Sequence, residues 1–101
     1  MALDHLRTSL TKGNLWLYIL SELQLGDATP SEIRSRVLAK RGFAPAAITF
    51  YSVIYRLRQE GLVKRSSDSF RSAYAITAKG KDQLLSAKFY LDEVQKSIGQ
   101  T

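Results

Sequence analysis

The chain has 101 residues and a formal net charge of +6, and 45% of its residues are hydrophobic. This composition fits one small globular domain rather than a disordered segment. The absence of cysteine excludes disulfides, thiolate metal sites and cysteine nucleophiles. The most hydrophobic run, residues 15–20, is much shorter than the roughly 20 apolar residues of a membrane-spanning helix. An intracellular location is therefore expected.

The positive charge is concentrated in residues 34–81, which we call the basic segment. It holds eleven basic and two acidic residues, a net charge of +9, whereas the remainder holds four basic and seven acidic residues. Segregation of this kind is typical of a surface that meets a polyanion. A solvated basic face without a partner is the alternative interpretation.

Two helices are predicted in the first 26 residues. Residues 1–12 place leucines at helical spacing, which indicates a short amphipathic helix. A second helix is predicted between Gly13 and Gly26, because Leu15 and Ile19 begin an apolar stripe at the same spacing.

The third predicted helix starts at Thr29. Thr29 and Glu32 have the spacing of a capping box, and Pro30 occupies the first helical position, which it favours. Gly42 is expected to end this helix. Its inward edge is predicted to contain Ile33, Val37 and Leu38, and its outward edge Arg34, Arg36 and Lys40.

A fourth helix is predicted from Pro45 to Gly61, followed by a β-hairpin. Apolar side chains recur in the helix at three- and four-residue spacing. Residues 62–65 and 70–77 then form two β-type runs, and the sequence SSDS between them is typical of a turn.

The chain ends in a long predicted helix after Thr77. Apolar residues in it step by three and four, the spacing of a helix–helix seam, although two heptads are short for a free-standing coiled coil. We expect this seam, together with Leu3 and Leu6, to be buried by a second copy of the chain about a two-fold axis. The seam residues are Leu84, Ala87, Leu91, Val94 and Ile98.

This order of elements predicts a winged helix-turn-helix that is mainly α with a small β-hairpin. Residues 1–12 form the N-terminal helix, 13–77 the DNA-binding unit and 78–101 the dimerisation helix. The fourth helix would enter the major groove of DNA while the hairpin approaches the backbone. The predicted DNA-contacting residues are Thr49, Tyr51, Ser52, Tyr55, Arg56 and Gln59 on that helix, Arg34 on the preceding helix, and Lys64, Arg65 and Arg71 on the hairpin.

Two stretches, FYSVIYRLRQEGLV and RSAYAITAKGKDQL, resemble PadR-type winged-helix transcriptional regulators. The resemblance covers most of the chain. It rests on an early tyrosine in the fourth helix, a Glu-Gly-Leu-Val step, a basic wing, and a Tyr-x-Ile-Thr-x-x-Gly step into the last helix. The matching residues are Tyr51, Ile54, Leu57, Glu60–Val63, Tyr74, Ile76, Thr77 and Gly80.

The chain also departs from the PadR pattern at three places. The sequence TPSEI stands where family members usually have Tyr-Gly-Tyr-Glu-Ile, and Ser52 stands where a proline often follows the tyrosine. Ile48–Thr49 stands in place of Gly-Thr. These departures concern the subfamily rather than the fold.

The resemblance also implies roles for several aromatic residues. It places Tyr51 close to the DNA backbone, although the spacing of Tyr51 with Ile54 also suits a core residue whose hydroxyl reaches water. It allows an aromatic effector pocket at a dimer interface, formed by Trp16, Phe89 and Tyr90. Ordinary core or interface packing is the alternative for these three residues.

Catalysis, metal binding and a cofactor are not expected. His5 is the single histidine and has no companion metal ligand in the sequence pattern. No serine or threonine has a base and an orienting residue that the sequence makes evident, so a catalytic triad is not expected. A glycine-rich phosphate loop is also missing from the sequence.

We therefore expect a cytoplasmic, nucleoid-associated, sequence-specific regulator of transcription that binds double-stranded DNA. It would act as a homodimer on a palindromic site, and as a repressor rather than an activator, since occluding a promoter needs no activation domain. Two alternatives remain open. One is an architectural, chromatin-type DNA-binding protein, and the other is a winged helix used for protein–protein contact.

Overall fold

The structure, a computed structural model, describes residues 1–67 and 72–99. It contains five helices and a β-hairpin in the predicted order, and a short 3-10 turn at Lys12–Asn14 that was not predicted. The helices are α1 (Ala2–Leu10), α2 (Leu15–Leu25), α3 (Pro30–Arg41), α4 (Ala47–Gln59) and α5 (Ala78–Gly99); the strands are β1 (Val63–Arg65) and β2 (Tyr74–Ile76). The predicted fold class is confirmed.

The hydrophobic core is built around α2, which packs against α3, α4, α5 and β2. Ile19 and Leu20 of α2 are completely buried, and Leu84 is the residue through which α5 joins this core. Leu84 was predicted to lie on an exposed stripe, and that prediction is wrong. It is already covered within one chain and Ala87 is partly buried, so the exposed part of the predicted seam begins at Leu91.

The start and end of α3 follow the sequence prediction. The backbone N–H of Glu32 donates to Thr29 Oγ1 at 3.2 Å, and the backbone N–H of Thr29 donates to Glu32 Oε1 at 2.9 Å, which completes the capping box. Gly42 ends the helix in the left-handed conformation, with φ of 74°. Leu38 was predicted to face inward but is 52% exposed, so that prediction is wrong.

An ion pair between a buried carboxylate and a half-exposed lysine fixes α3 against α2. Glu22 of α2 is only 2% exposed, and Lys40 Nζ lies 3.1 Å from its carboxylate. Since a buried carboxylate needs a partner, this pair favours one relative position of the two helices. Lys40 was predicted to lie on the solvated edge of α3, and its side chain is half-exposed.

The hairpin is antiparallel and gains a third partner from the loop before α3. Val63 is paired with Ile76, and Arg65 with Tyr74. Ala28 also pairs with Tyr74 through two backbone hydrogen bonds of 3.2 and 2.8 Å. β2 is shorter than the predicted run of residues 70–77, of which residues 70 and 71 lie outside the described residues. The extra pairing anchors the base of the hairpin to the helical core.

Thr77 joins the end of α4 to the start of α5. Its Oγ1 donates to the carbonyl oxygen of Gly61 at 2.6 Å and accepts from the backbone N–H of Gly80 at 3.0 Å. Gly61 has a φ of 77°, which favours glycine at this position. These contacts give a physical reason for the Glu-Gly-Leu-Val and Thr-x-x-Gly steps in the sequence.

Candidate nucleic-acid interface

The outward face of α4 is the centre of the candidate interface. Phe50, Ile54 and Leu57 face the core, which leaves the opposite side of the helix to solvent. Residues spaced by four, three and four positions form one line along an α-helix. On α4 the line opposite the core is Ile48, Ser52, Tyr55 and Gln59, all of them exposed.

Three residues of this line were predicted to contact DNA, but Ile48 was missed. The predicted contacts on α4 are residues able to donate or accept hydrogen bonds, a criterion that excludes an aliphatic side chain. The spacing of Ile48 with Ser52, Tyr55 and Gln59 was the pattern that could have found it.

The flanks of the α4 face carry the remaining predicted residues. Thr49 and Arg56 are exposed on one side of the line, and Tyr51 lies on the other side with 54% of its surface exposed. The interpretation of Tyr51 as a core residue is therefore wrong. Tyr55 and Gln59 are hydrogen-bonded to each other, with Gln59 Nε2 donating to the Tyr55 hydroxyl at 3.0 Å.

Arg34 connects α3 to the start of α4. Its Nε donates to the carbonyl oxygen of Pro45 at 3.0 Å, and its side chain is half-buried. A guanidinium has five N–H donors, so this bond leaves four for other acceptors. Arg34 therefore supports the turn that sets the position of α4, in addition to its predicted role in DNA contact.

The hairpin carries two exposed cations in the described residues. Lys64 and Arg65 are neighbours on β1 and point to opposite faces, and the Arg65 guanidinium lies 5.7 Å from the ring centre of Tyr74. Ser66 Oγ donates to Asp27 Oδ2 at 2.6 Å, which ties the end of β1 to the loop before α3. The predicted contact Arg71 lies outside the described residues.

Some cations of the basic segment have partners within the fold. Lys40 pairs with Glu22, Lys79 Nζ donates to the carbonyl oxygen of Glu60 at 2.8 Å, and Arg41 lies 4.9 Å from the ring centre of Tyr18. Five other cations contact neither an acidic side chain nor a hydrogen-bond acceptor among residues 1–67 and 72–99. They are Arg36, Arg56, Arg58, Lys64 and Lys81. Within the part of the chain that the structure describes, the positive charge of these five residues is therefore not compensated by local partners.

The residues of the predicted aromatic pocket are not brought together. Trp16 lines a cavity of about 500 Å³ between α2, α4 and α5, together with Arg56, Glu60 and Gln83. Phe89 and Tyr90 are exposed and do not line this cavity. The effector pocket therefore stays a prediction.

The surfaces predicted to form a dimer are apolar and exposed. In α1, Leu3 and Leu6 are both about half-exposed, and α1 contributes no residue to the core. On α5, Leu91 and Val94 are partly exposed and Ile98 is almost fully exposed. These side chains are left uncovered by a single chain.

The described part of the chain holds neither a metal-binding cluster nor a membrane-spanning helix. Among residues 1–67 and 72–99, histidine and acidic side chains form no group of three or more that could hold a metal ion. None of the described helices is both long and apolar enough to cross a membrane.

The helix pair α3–α4 followed by the β1–β2 wing is a winged-helix fold of the kind found in transcriptional regulators. A transcriptional regulator from Clostridium thermocellum, Cth-833, is similar to the chain with a TM-score of 0.78 and 25% identity, over 91% of this chain and 93% of that one. TA0346, a candidate transcriptional regulator from Thermoplasma acidophilum, gives a TM-score of 0.68 and 25% identity, over 86% of this chain and 87% of that one. No protein-family model and no curated protein matches the chain.

Proposed function

We propose that the chain is a sequence-specific DNA-binding regulator of transcription. The observation that carries this proposal is the outward line of α4, which is exposed along its whole length and is flanked by cations that have no partner among residues 1–67 and 72–99. The similar structures of transcriptional regulators support the same function. In the proposed complex α4 lies in the major groove, and Lys64 and Arg65 of the wing approach phosphates.

We further propose a homodimer that binds a palindromic site and represses by occluding a promoter. The exposed apolar side chains of α1 and α5 support self-association, because clustered exposed apolar side chains are typical of an interface. Two symmetric recognition helices about one DNA turn apart, roughly 34 Å, would require a palindrome. A cytoplasmic location and a PadR-type membership are parts of the same proposal.

Selection of bound duplexes from a random library, followed by titration in several salt concentrations, tests this function. We expect a palindromic consensus that binds at least a thousand-fold tighter than an unrelated duplex, as specific regulators do. Equal affinity for all duplexes would support the architectural alternative. An absence of salt-dependent DNA binding would support the protein–protein alternative.

Replacing Arg56 or Arg65 with alanine should weaken binding to every duplex. If each residue neutralises one phosphate, the slope of log affinity against log salt becomes shallower by roughly one unit. Lys88→Ala on α5 is the matched control, since it removes one exposed positive charge outside the basic segment. Unchanged affinity and slope in both arginine variants would remove these residues from the interface.

Replacing Thr49 and Ser52 with alanine should reduce specificity more than affinity. Both lie exposed in the first half of α4, where short hydroxyl side chains allow a close approach to base edges. We expect the ratio of operator to non-specific affinity to fall about ten-fold for the double variant, as for one lost base contact of ~1.4 kcal/mol. Ser86→Ala on α5 is the control. Equal losses on operator and unrelated DNA would contradict a base-reading role.

A further inference from the structure

Ile48 is an exposed aliphatic residue at the start of an otherwise polar or aromatic line along α4. Of the large hydrophobic side chains in the described residues, only Met1 is more exposed than Ile48, which has 82% of its surface accessible. It is the second residue of α4 and begins the outward line that continues through Ser52, Tyr55 and Gln59. It therefore lies at the N-terminal end of the proposed DNA-reading face.

The fold itself gives no reason for an isoleucine at this position. Phe50, Ile54 and Leu57 already supply the core-facing side of α4, and Ile48 lies away from them. A β-branched side chain is also a weaker helix former than alanine or leucine, so Ile48 does not serve helix stability. An exposed isoleucine that stabilises neither the core nor the helix is suited to contact with a partner.

The residues before Ile48 leave room for that partner. Ala46 and Ala47 are exposed and have the smallest side chains that a helix start can present, apart from glycine. A surface approaching the first turn of α4 therefore meets Ile48 before any other long side chain of that turn. In helix-turn-helix proteins, residues in the N-terminal part of the recognition helix contact base edges.

The chemistry of the major groove identifies what Ile48 can recognise there. Phosphates, sugars and most base edges offer polar groups, whereas the C5-methyl group of thymine is the apolar group of that groove. We infer that Ile48 packs on a thymine C5-methyl group and thereby selects thymine at one position of each half-site. This inference rests on the proposed function and adds the identity of one base and the residue that reads it.

The inference is tested by removing the methyl group from the DNA. Each thymine of a selected operator is replaced in turn by deoxyuridine, which keeps base pairing and lacks only the C5-methyl group. Wild-type protein should bind about four-fold more weakly for each half-site substituted at the critical position, the equivalent of ~0.8 kcal/mol for one methyl-sized group removed from water. Substitution at thymines outside the contact should have no effect.

The protein variants then tie this loss to Ile48. In Ile48→Ser the same deoxyuridine substitution should cause no further loss of operator affinity, because the methyl group has already lost its partner. This is the result expected of a double-mutant cycle between two interacting groups. Ile48→Val keeps a branched apolar side chain and should retain discrimination. Leu85→Ser on α5 is the matched control, an exposed aliphatic residue outside α4 whose replacement should leave the deoxyuridine effect at its wild-type size.

Three results would overturn the inference. In the first, the wild type binds its operator specifically, but every deoxyuridine substitution has the same effect on the wild type and on Ile48→Ser. That result would leave the proposed function unaffected. Another is a change of oligomeric state in Ile48→Ser by light scattering, which would mean that a second copy of the chain covers Ile48. The third is loss of DNA bending in Ile48→Ser without any deoxyuridine effect, which would indicate a wedge in the minor groove. Absence of any DNA binding by the wild type would overturn both proposals together.

Discussion

Gly80→Ala is expected to destabilise the protein by about 3 kcal/mol, the upper part of the range for overpacking a buried site. A Cβ atom on Gly80 would lie 2.2 Å from the carbonyl oxygen of Leu62 and 2.8 Å from Cγ1 of Ile76. The first contact is with backbone, which cannot rotate away. The start of α5 would have to move off the wing, and the Thr77 hydrogen bonds at this junction would be strained or lost.

Thermal and urea unfolding measure this loss. For a chain of this size, about 3 kcal/mol corresponds to a fall in midpoint temperature of about 12–24 °C. Gly99→Ala is the matched control, since it makes the same change near the end of the same helix. There, apart from the chain neighbours and the helix's own backbone, no atom of the described residues lies within 4 Å of the added Cβ. Equal stability of the two variants would contradict the close approach of α5 to the wing.

Gly80 also illustrates which parts of the fold the sequence could predict. Local rules predicted the start and end of α3 correctly, because a capping box and a left-handed glycine depend on a few neighbouring residues. The Thr-x-x-Gly step was visible as a pattern in the sequence. Its cause, the approach of Leu62 to Gly80, depends on how α5 packs on the wing and requires the three-dimensional structure.

The wrong predictions concern which face of a helix is covered. Leu38 lies one residue beyond the buried Val37, about 100° further around the helix, and no element covers that side of α3. The prediction for Leu84 is wrong in the opposite direction. Its spacing fits the exposed seam, but packing of α5 on α2 buries it within one chain. Periodicity identifies an apolar stripe, whereas its limits are set by neighbouring elements.

Contacts between residues far apart in the sequence could not be predicted from it. Ala28 pairs with Tyr74 without a strand pattern around Ala28, and Glu22 shows no sign in the sequence that Lys40 is its partner. The exposed face of α4 was predicted more fully, because α4 needs only its own periodicity to separate outward from inward residues. Ile48 was missed there because the residues were selected by polarity.

Leu91→Asp is expected to convert a dimer into a monomer and to remove most operator affinity. Leu91 is 42% exposed and lies beside Val94 and Ile98 on the apolar face of α5 that one chain leaves uncovered. In a symmetric dimer the change buries two carboxylates without partners, and each costs several kcal/mol unless it is protonated or paired. Analytical ultracentrifugation and operator titration should show both losses, while circular dichroism remains that of the folded chain.

Leu85→Asp is the matched control because it makes the same substitution on the same helix. Leu85 is 55% exposed and lies roughly 120° around α5 from Leu91, at 3.6 residues per turn. We expect this variant to remain dimeric and to bind the operator as the wild type does. Dissociation by Leu85→Asp but not by Leu91→Asp would place the interface on another face of α5.

A wild-type chain that is monomeric at micromolar concentration yet binds a palindrome tightly would contradict the proposed dimer. In that case DNA itself would have to bring two chains together, and the exposed face of α5 would need a different partner.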